Sequence, residues 1–451
     1  MVYEQKTNYT ENKFKNKMKN LIIALLTLIP FLGFSQVPTP LPNQHKTILL
    51  QNGFAHIGNG EIVNKSSIGI KDGKILFVKN ALTYAVVKSE WDTIINIQGK
   101  QVYPGFIATN STIGLTEIDA VRATNDYREV GYINPHVRSL IAFNTDSKVL
   151  YTVRTNGVLV CQATPRGGLI SGTSSVMAME GWNWEDAVYK KDDGIHLNWP
   201  SKYKNTGWWA EPGEIKANPN YKKTVEQIVT FFSRAKAYNE QTKSENRDLK
   251  LEAMDAVFNG TKRVYIHVSF APEMNDVIDF SRLFKLNFPV IIGGYDAHML
   301  ADRLKENKFT VMLENPHHLP HFEGDFPSIN YELPAKLQKE GILFCIQNSG
   351  SMEVMNARNL PFIAGTAMAY GLTEEQAIAT ITLNAAKIMG IDHKIGSLEK
   401  GKDATLFISE GNALDMRTNN VTLAFVRGKR IDLTNHQKQL SEKYHAKYGV
   451  K

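Results

Sequence analysis

Residues 101–112 read Gln101-Val102-Tyr103-Pro104-Gly105-Phe106-Ile107-Ala108-Thr109-Asn110-Ser111-Thr112, an apolar, strand-like run at the border between two kinds of pattern. Upstream, Thr47–Leu50, Ser67–Lys71, Ile75–Val78 and Thr93–Ile97 are short β-prone segments. They are separated by the turn signals Asn52-Gly53, Gly58-Asn59-Gly60 and Asp72-Gly73, which predicts a small β-sheet unit. Downstream, Val158–Gln162, Arg263–Val268, Pro289–Gly293, Thr310–Leu313 and Ile342–Ile346 alternate with longer amphipathic stretches, as parallel βα units do.

Further out, the β-prone signal returns at Ala404–Ser409 and Val421–Val426, with a hairpin turn at Arg427-Gly428-Lys429-Arg430, so the two ends of the chain can build one sheet. Thr373-Glu374-Glu375-Gln376 is a capping box. Ala377, Ile381, Ala385 and Ile388 follow at helical spacing, and Gly390 supplies a stop. Residues 181–224 are rich in Trp, Tyr, Lys, Asn and Pro, and 225–258 return to a helical pattern, so about 181–260 reads as an insertion or lid. At 451 residues with 43% hydrophobic content, one large domain with a smaller companion is expected.

The N-terminus reads separately. Lys17 and Lys19 precede an apolar run from Leu21 to Phe34 that is too short to span a bilayer, so 1–35 is expected to be a signal peptide, with Met18 as an alternative start. The expected location is secreted or periplasmic, with no membrane association after cleavage and a Pro-rich leader over 36–45. An uncleaved anchor is the competing reading. The segment before Gln36 carries three of the seven net positive charges, and the remaining +4 is dispersed, which argues against a nucleic-acid partner. The two cysteines, Cys161 and Cys345, lie in apolar segments and are expected to be buried free thiols.

Pro104-Gly105-Phe106-Ile107 resembles the first barrel strand of the amidohydrolase superfamily, which typically continues Asp-x-His-x-His. Gly371–Ala377, Thr382-Leu383-Asn384-Ala385-Ala386 and Gly396–Ala404 resemble the imidazolonepropionase-like branch. The resemblance spans about Lys46 to Arg430. It implies an α/β fold, a TIM (β/α)8 barrel over 104–394, with a small β-sandwich domain built from both chain ends, 46–103 and 395–432, and a tail over 433–451.

Hydrolysis at a carbon–nitrogen bond in that family uses water activated by one or two divalent metals held by imidazoles and carboxylates. At the matching positions this chain has Asn110 and Thr112 on strand one, His267 on strand five, Gly293 on strand six, and Asn348 where the strand-eight aspartate acts as base. An amide, a hydroxyl and a glycine cannot replace those groups. The reading is a catalytically degenerate amidohydrolase-like protein without a cofactor. It would bind a small amide or peptide-like ligand, or pair with an active homologue or with itself.

Two alternatives stay open. One is an active hydrolase whose rearranged metal site, for zinc or a similar ion, draws on His267, His317, His318 and His321, with Glu314 and Glu323 nearby. The other is a scaffold subunit using Trp182, Trp184, Trp208 and Trp209 as an interface. Arg166, in the Gly- and hydroxyl-rich loop Thr164–Ser175, is a further pocket candidate, although its glycines also suit a plain turn. For His267 the plain structural alternative is a core histidine.

Overall fold

A computed structural model describes residues 18–19, 40, 42–208, 210–211, 213–240, 247–350 and 352–449. The chain divides into residues 1–39 and Pro40–Lys451, and the architecture is that of the second unit. The expected signal peptide, apart from Met18 and Lys19, lies outside the described residues, as does Trp209. Among the described residues no helix is long and apolar enough to cross a membrane.

The N-terminal strands are β1 (Ile48–His56), β2 (Ile62–Lys71), β3 (Lys74–Asn80), β4 (Thr93–Asn96) and β5 (Gln101–Pro104). Barrel strands follow as β6 (Phe106–Ser111), β7 (Val158–Ala163), β8 (Ile170–Ala178) and β9 (Val188–Asn198), then a hairpin of β10 (Tyr203–Asn205) and β11 (Ile215–Ala217). The barrel resumes with β12 (Arg263–Val268), β13 (Pro289–Gly293), β14 (Thr310–Leu313) and β15 (Phe344–Ile346). The chain ends through β16 (Leu406–Ser409), β17 (Val421–Val426), β18 (Lys429–Arg430) and an exposed helix, His436–Tyr448.

Both chain ends do meet. They form one hydrogen-bonded eight-stranded sheet, ordered β18-β17-β16-β5-β1-β2-β3 with β4 also on β1, as the β-prone segments at the two ends imply. The reason lies in β1, which forks: Ile48–Gln51 pair with β4 and Phe54–Ala55 with β5. Gly53 sits at the bend between bulges, and a Cβ there would fall 2.5 Å from Ile97.

The barrel sheet runs β15-β14-β13-β12-β9-β8-β7-β6. It departs from eight parallel strands at β8, which is antiparallel to both β7 and β9. A parallel connection needs a dozen or more residues, and the loop from Ala163 to Ile170 is too short for one. The expected insertion also starts later than position 181, because β9 is a barrel strand parallel to β12. Lys190, Lys191, Asp192 and Asp193 at its start disguised it.

Between its two end strands, β6 and β15, the barrel is bridged by other groups. The Ile107 N–H donates to the Ile381 carbonyl at 2.8 Å, Asn384 Nδ2 donates to the Phe344 carbonyl at 3.0 Å, and Thr109 Oγ1 lies 3.6 Å from Cys345 Sγ. That arrangement explains why the predicted helix after Thr373 is two helices, Glu374–Thr380 and Leu383–Met389. The break at Ile381-Thr382 frees the carbonyl that receives the β6 N–H. The capping box and the left-handed Gly390 stop are present as read, and both cysteines are buried and free.

Sheet and barrel are joined by Tyr103, Phe106 and Phe407, all fully buried. Phe407 stacks on Tyr103 at 5.2 Å and meets Phe106 edge-on at 4.8 Å. Truncating Phe407 to alanine is expected to cost about 3–5 kcal/mol, the usual range for emptying a buried aromatic site. Denaturant unfolding measures it, and a loss below about 1 kcal/mol would show that this contact does not hold the two parts together.

Candidate functional site

The C-terminal ends of the barrel strands surround a cavity of about 400 Å³, lined among others by Asn110, Trp199, His267, Glu273, Glu314 and Gln347. Ser269, Phe270, Gly293, Ser349 and Gly350 also border it. A second cavity, of about 490 Å³, lies beside it and shares Ser201, Ser269, Phe270 and Glu273. The β10–β11 hairpin contributes Tyr203, Asn205 and Ile215 to its wall.

Asn110, at the end of β6, has a left-handed backbone (φ 47°) and is almost fully buried. Every polar group on it is occupied. Its N–H donates to Gln162 Oε1 at 3.0 Å, and its Nδ2 donates to Gln347 Oε1 at 2.5 Å and Ser349 Oγ at 3.1 Å. Its Oδ1 and its carbonyl each accept from the Arg166 guanidinium at 2.8 Å. Arg166 is anchored in turn by Glu353, with Nη2 2.9 and 3.0 Å from the two carboxylate oxygens. Its own loop is a tight turn in which Gly167 and Gly168 both have positive φ, so the turn reading of those glycines holds as well.

Of the positions read from the sequence, the structure brings Asn110, His267 and Gly293 to the cavity wall, with Arg166 directly behind Asn110. Thr112 and Asn348 are buried and do not line it. At strand eight the alternation of the strand points Gln347 and Ser349 into the mouth, while Asn348 Nδ2 donates to the Glu353 carbonyl at 2.9 Å. The amide facing the cavity is therefore Gln347, one residue from the expected position. Gly293 is a backbone requirement: its φ is 111°, and a Cβ would sit 2.4 Å from Ser269 Oγ and 2.8 Å from the Val268 carbonyl.

His267 has a partner that the sequence reading missed. Its Nε2 lies 3.0 Å from Nδ1 of His196, which comes from the disguised strand β9. His196 is fully buried, stacked on Tyr265 at 4.8 Å, and its Nε2 has no protein partner. Burial, reinforced by the charge of Arg166, holds His267 at about 3, and burial with its two cationic or imidazole neighbours puts His196 well below its ordinary value. Both rings are neutral at physiological pH, one donating the shared proton and the other accepting it.

The histidine-rich loop after β14 does not act as one cluster. His317 turns away to Thr366 Oγ1 at 2.8 Å. Glu314, His318 and His321 converge instead, with one ligand atom from each lying within 4.8 Å of the others. Glu323 takes no part in that group. Burial raises the Glu314 carboxyl, but the two imidazoles outweigh it and hold the group at about 2. Among the described residues this is the one group of three or more such side chains spaced to hold an ion.

A family model described as "Amidohydrolase family" matches residues 247–431. An amidohydrolase from Thermotoga maritima MSB8 superposes with a TM-score of 0.72 at 25% identity, covering 85% of this chain and 99% of that one. Adenine deaminase 1 of Latilactobacillus sakei is 19% identical over 363 residues, 78% of this chain and 58% of that protein. Adenine deaminase 4 of Rhizobium meliloti is 28% identical over 115 residues, 26% of this chain. The chain thus spans 58% and 19% of the lengths of these two curated relatives.

Two outcomes are expected. Replacing Arg166 with methionine leaves the Glu353 carboxylate, with 10% of its side chain exposed, without its counter-charge. The cost should be about 3 kcal/mol, near the lower end for a broken buried pair because Arg166 keeps 22% of its side chain open. A combined Arg166→Met, Glu353→Met variant should recover most of that stability, and equal losses in the single and double variants would refute the pairing.

The second outcome concerns pH. With a folded-state value of about 3 against about 6.5 unfolded, His267 contributes stability that is complete above about pH 6.5 and is lost as pH falls towards 3. It should account for roughly 2 kcal/mol of destabilisation between pH 7.5 and pH 5. Unfolding titrations at both pH values should show a smaller difference for His267→Gln than for the parent.

Proposed function

The chain belongs to the amidohydrolase superfamily, and from that premise we propose that it is a member whose barrel mouth binds a small amide- or peptide-like molecule without hydrolysing it. The observation that carries the reading is the engagement of Asn110. Its amide oxygen already accepts from the Arg166 guanidinium, and its amide nitrogen is a donor directed at Gln347.

A divalent cation held between strands one, five, six and eight would need lone pairs that this set does not offer. Asn110 turns its amide oxygen to the Arg166 guanidinium, whose charge opposes a second cation there, Gly293 has no side chain and no room for one, and Gln347 is an amide that cannot take up a proton from water. These residues do not fit the family's metal. His267 remains, but it is paired with His196.

What the mouth retains is the equipment for recognition. Its cavity of about 400 Å³ is within the range of small-molecule sites, with Trp199 and Phe270 as apolar walls and Gln347, Ser349 and Ser269 as hydrogen-bonding groups. Glu273 supports a ligand that carries a donor or a positive charge. One of its oxygens accepts from the Lys202 N–H at 2.7 Å and from Ser201 Oγ at 3.2 Å, whereas its Oε2, although buried, has no protein partner. An amide bearing an amine, such as a dipeptide, meets both requirements. A location outside the cytoplasm and pairing with an active homologue remain part of this proposal.

Thermal-shift and calorimetric screening of dipeptides and cyclic amides tests the reading, run alongside product analysis with zinc or manganese added. The expected result is saturable binding, weakened at least tenfold by Glu273→Gln, with the ligand recovered intact. Turnover that vanishes in His267→Ala would overturn the non-hydrolytic reading, and the absence of binding by any amine-bearing amide would overturn the ligand class.

A further inference from the structure

We propose that Glu314, His318 and His321 form a binding site for one divalent transition-metal ion of the zinc class at the rim of the barrel, away from the residues that match the family's ligand positions.

Both imidazole Nε2 atoms are aimed at the same carboxylate oxygen, Glu314 Oε1, at 3.2 Å from His318 and 2.9 Å from His321. Ligand atoms at 2.0–2.1 Å from a tetrahedral zinc ion are separated by about 3.3 Å. Two edges of a coordination tetrahedron are therefore nearly in place, and all three atoms lie within 4.8 Å of one another. One carboxylate and two imidazoles are also a donor set of the type zinc takes, and three protein ligands leave a further position for water or a ligand group.

An independent observation is the orientation of His318. Its Nδ1 lies 2.6 Å from the Leu319 carbonyl, which can only accept, so Nδ1 carries the proton and donates there. Nε2 is then the nitrogen turned to Glu314 Oε1 at 3.2 Å, a position that either a second ring proton or a metal cation fills, so the two compete for one place. A backbone carbonyl that fixes the tautomer and aim of an imidazole in this way is the usual outer support of a metal-binding histidine.

The other members are held just as firmly. Glu314 Oε2 accepts from Ser269 Oγ at 3.2 Å, and His321 is clamped edge-on by Phe270 and Tyr295 at 5.2 and 4.7 Å. The loop itself is tied down where Asn330 Nδ2 donates to the His318 carbonyl at 2.6 Å. Glu314 borders the barrel-mouth cavity and His321 the neighbouring one, so an ion here would clasp the 314–321 loop across the partition between them. This site does not depend on the ligand proposed for the mouth.

The test is zinc binding by tag-free, chelator-stripped protein, followed by calorimetry and by metal analysis after dialysis. One equivalent is expected, with affinity in the micromolar range or tighter. It should fall at least tenfold in His318→Ala, His321→Ala and Glu314→Gln, and stay unchanged in His317→Ala, whose ring faces Thr366, and in His267→Ala. Circular dichroism of each variant separates loss of a ligand from loss of fold. No uptake by the parent protein, equal uptake by the folded His318→Ala and His321→Ala variants, or loss of zinc only in His267→Ala would each overturn the proposal.

Discussion

The barrel depends on how it is closed. A sheet rolled into a cylinder normally gains its last seam from a backbone ladder, in which each bond contributes a net ~1 kcal/mol. Here β6 and β15 are the two ends of the sheet, and the seam is made from a helix break at Ile381, the Asn384 amide, a Thr109–Cys345 contact and the Asn110–Gln347 hydrogen bond. Such contacts are few, so each residue in the seam is constrained in identity. Asn110 can adopt the left-handed backbone and span Gln162, Gln347 and Arg166 at once, which few other side chains can do.

The same constraint governs the chemistry. A catalytic site of this kind keeps its strongest donors unsatisfied by protein so that they can engage a metal or substrate. In this mouth Asn110 and Gln347 are hydrogen-bonded to each other, and the guanidinium behind them is shared between Asn110 and Glu353. An unpartnered buried acceptor lies further out, at Glu273 Oε2 on the wall between the cavities, and a carboxylate and two imidazoles meet in the loop after β14.

Much of this could be read from the residues because it follows from pattern. Short strands at both ends, alternation in the middle and the Pro104-Gly105-Phe106-Ile107 signature point to a barrel with a companion sheet, and Asn110, His267 and Gly293 lie at the mouth as their positions imply. What escaped depends on direction and distance. The reversal of β8 is visible only in the length of the loop before it. His196 was hidden because two lysines and two aspartates follow Val188 and Tyr189 in β9, and a strand with so polar a first half resembles an insertion. The shift from Asn348 to Gln347 is a one-residue matter of strand phase, and the exclusion of His317 from its cluster is a matter of side-chain orientation in a loop.

The forked sheet has a consequence for the order in which the chain can assemble. β1 to β4 are neighbours in sequence and can pair early, but β5 receives its second partner only when β16 arrives, with Leu406 registered on Pro104. Until then β5 presents an open edge, and Tyr103 and Phe106 lack the ring of Phe407 that covers them. A growing chain therefore carries an unfinished seam through nearly all of its synthesis, and long-range pairings of this kind are slow to form. The hazard this creates is intermolecular: another chain's strand can dock on β5 first, so yield in the cell should be limited by the lifetime of that edge more than by the stability of the finished molecule.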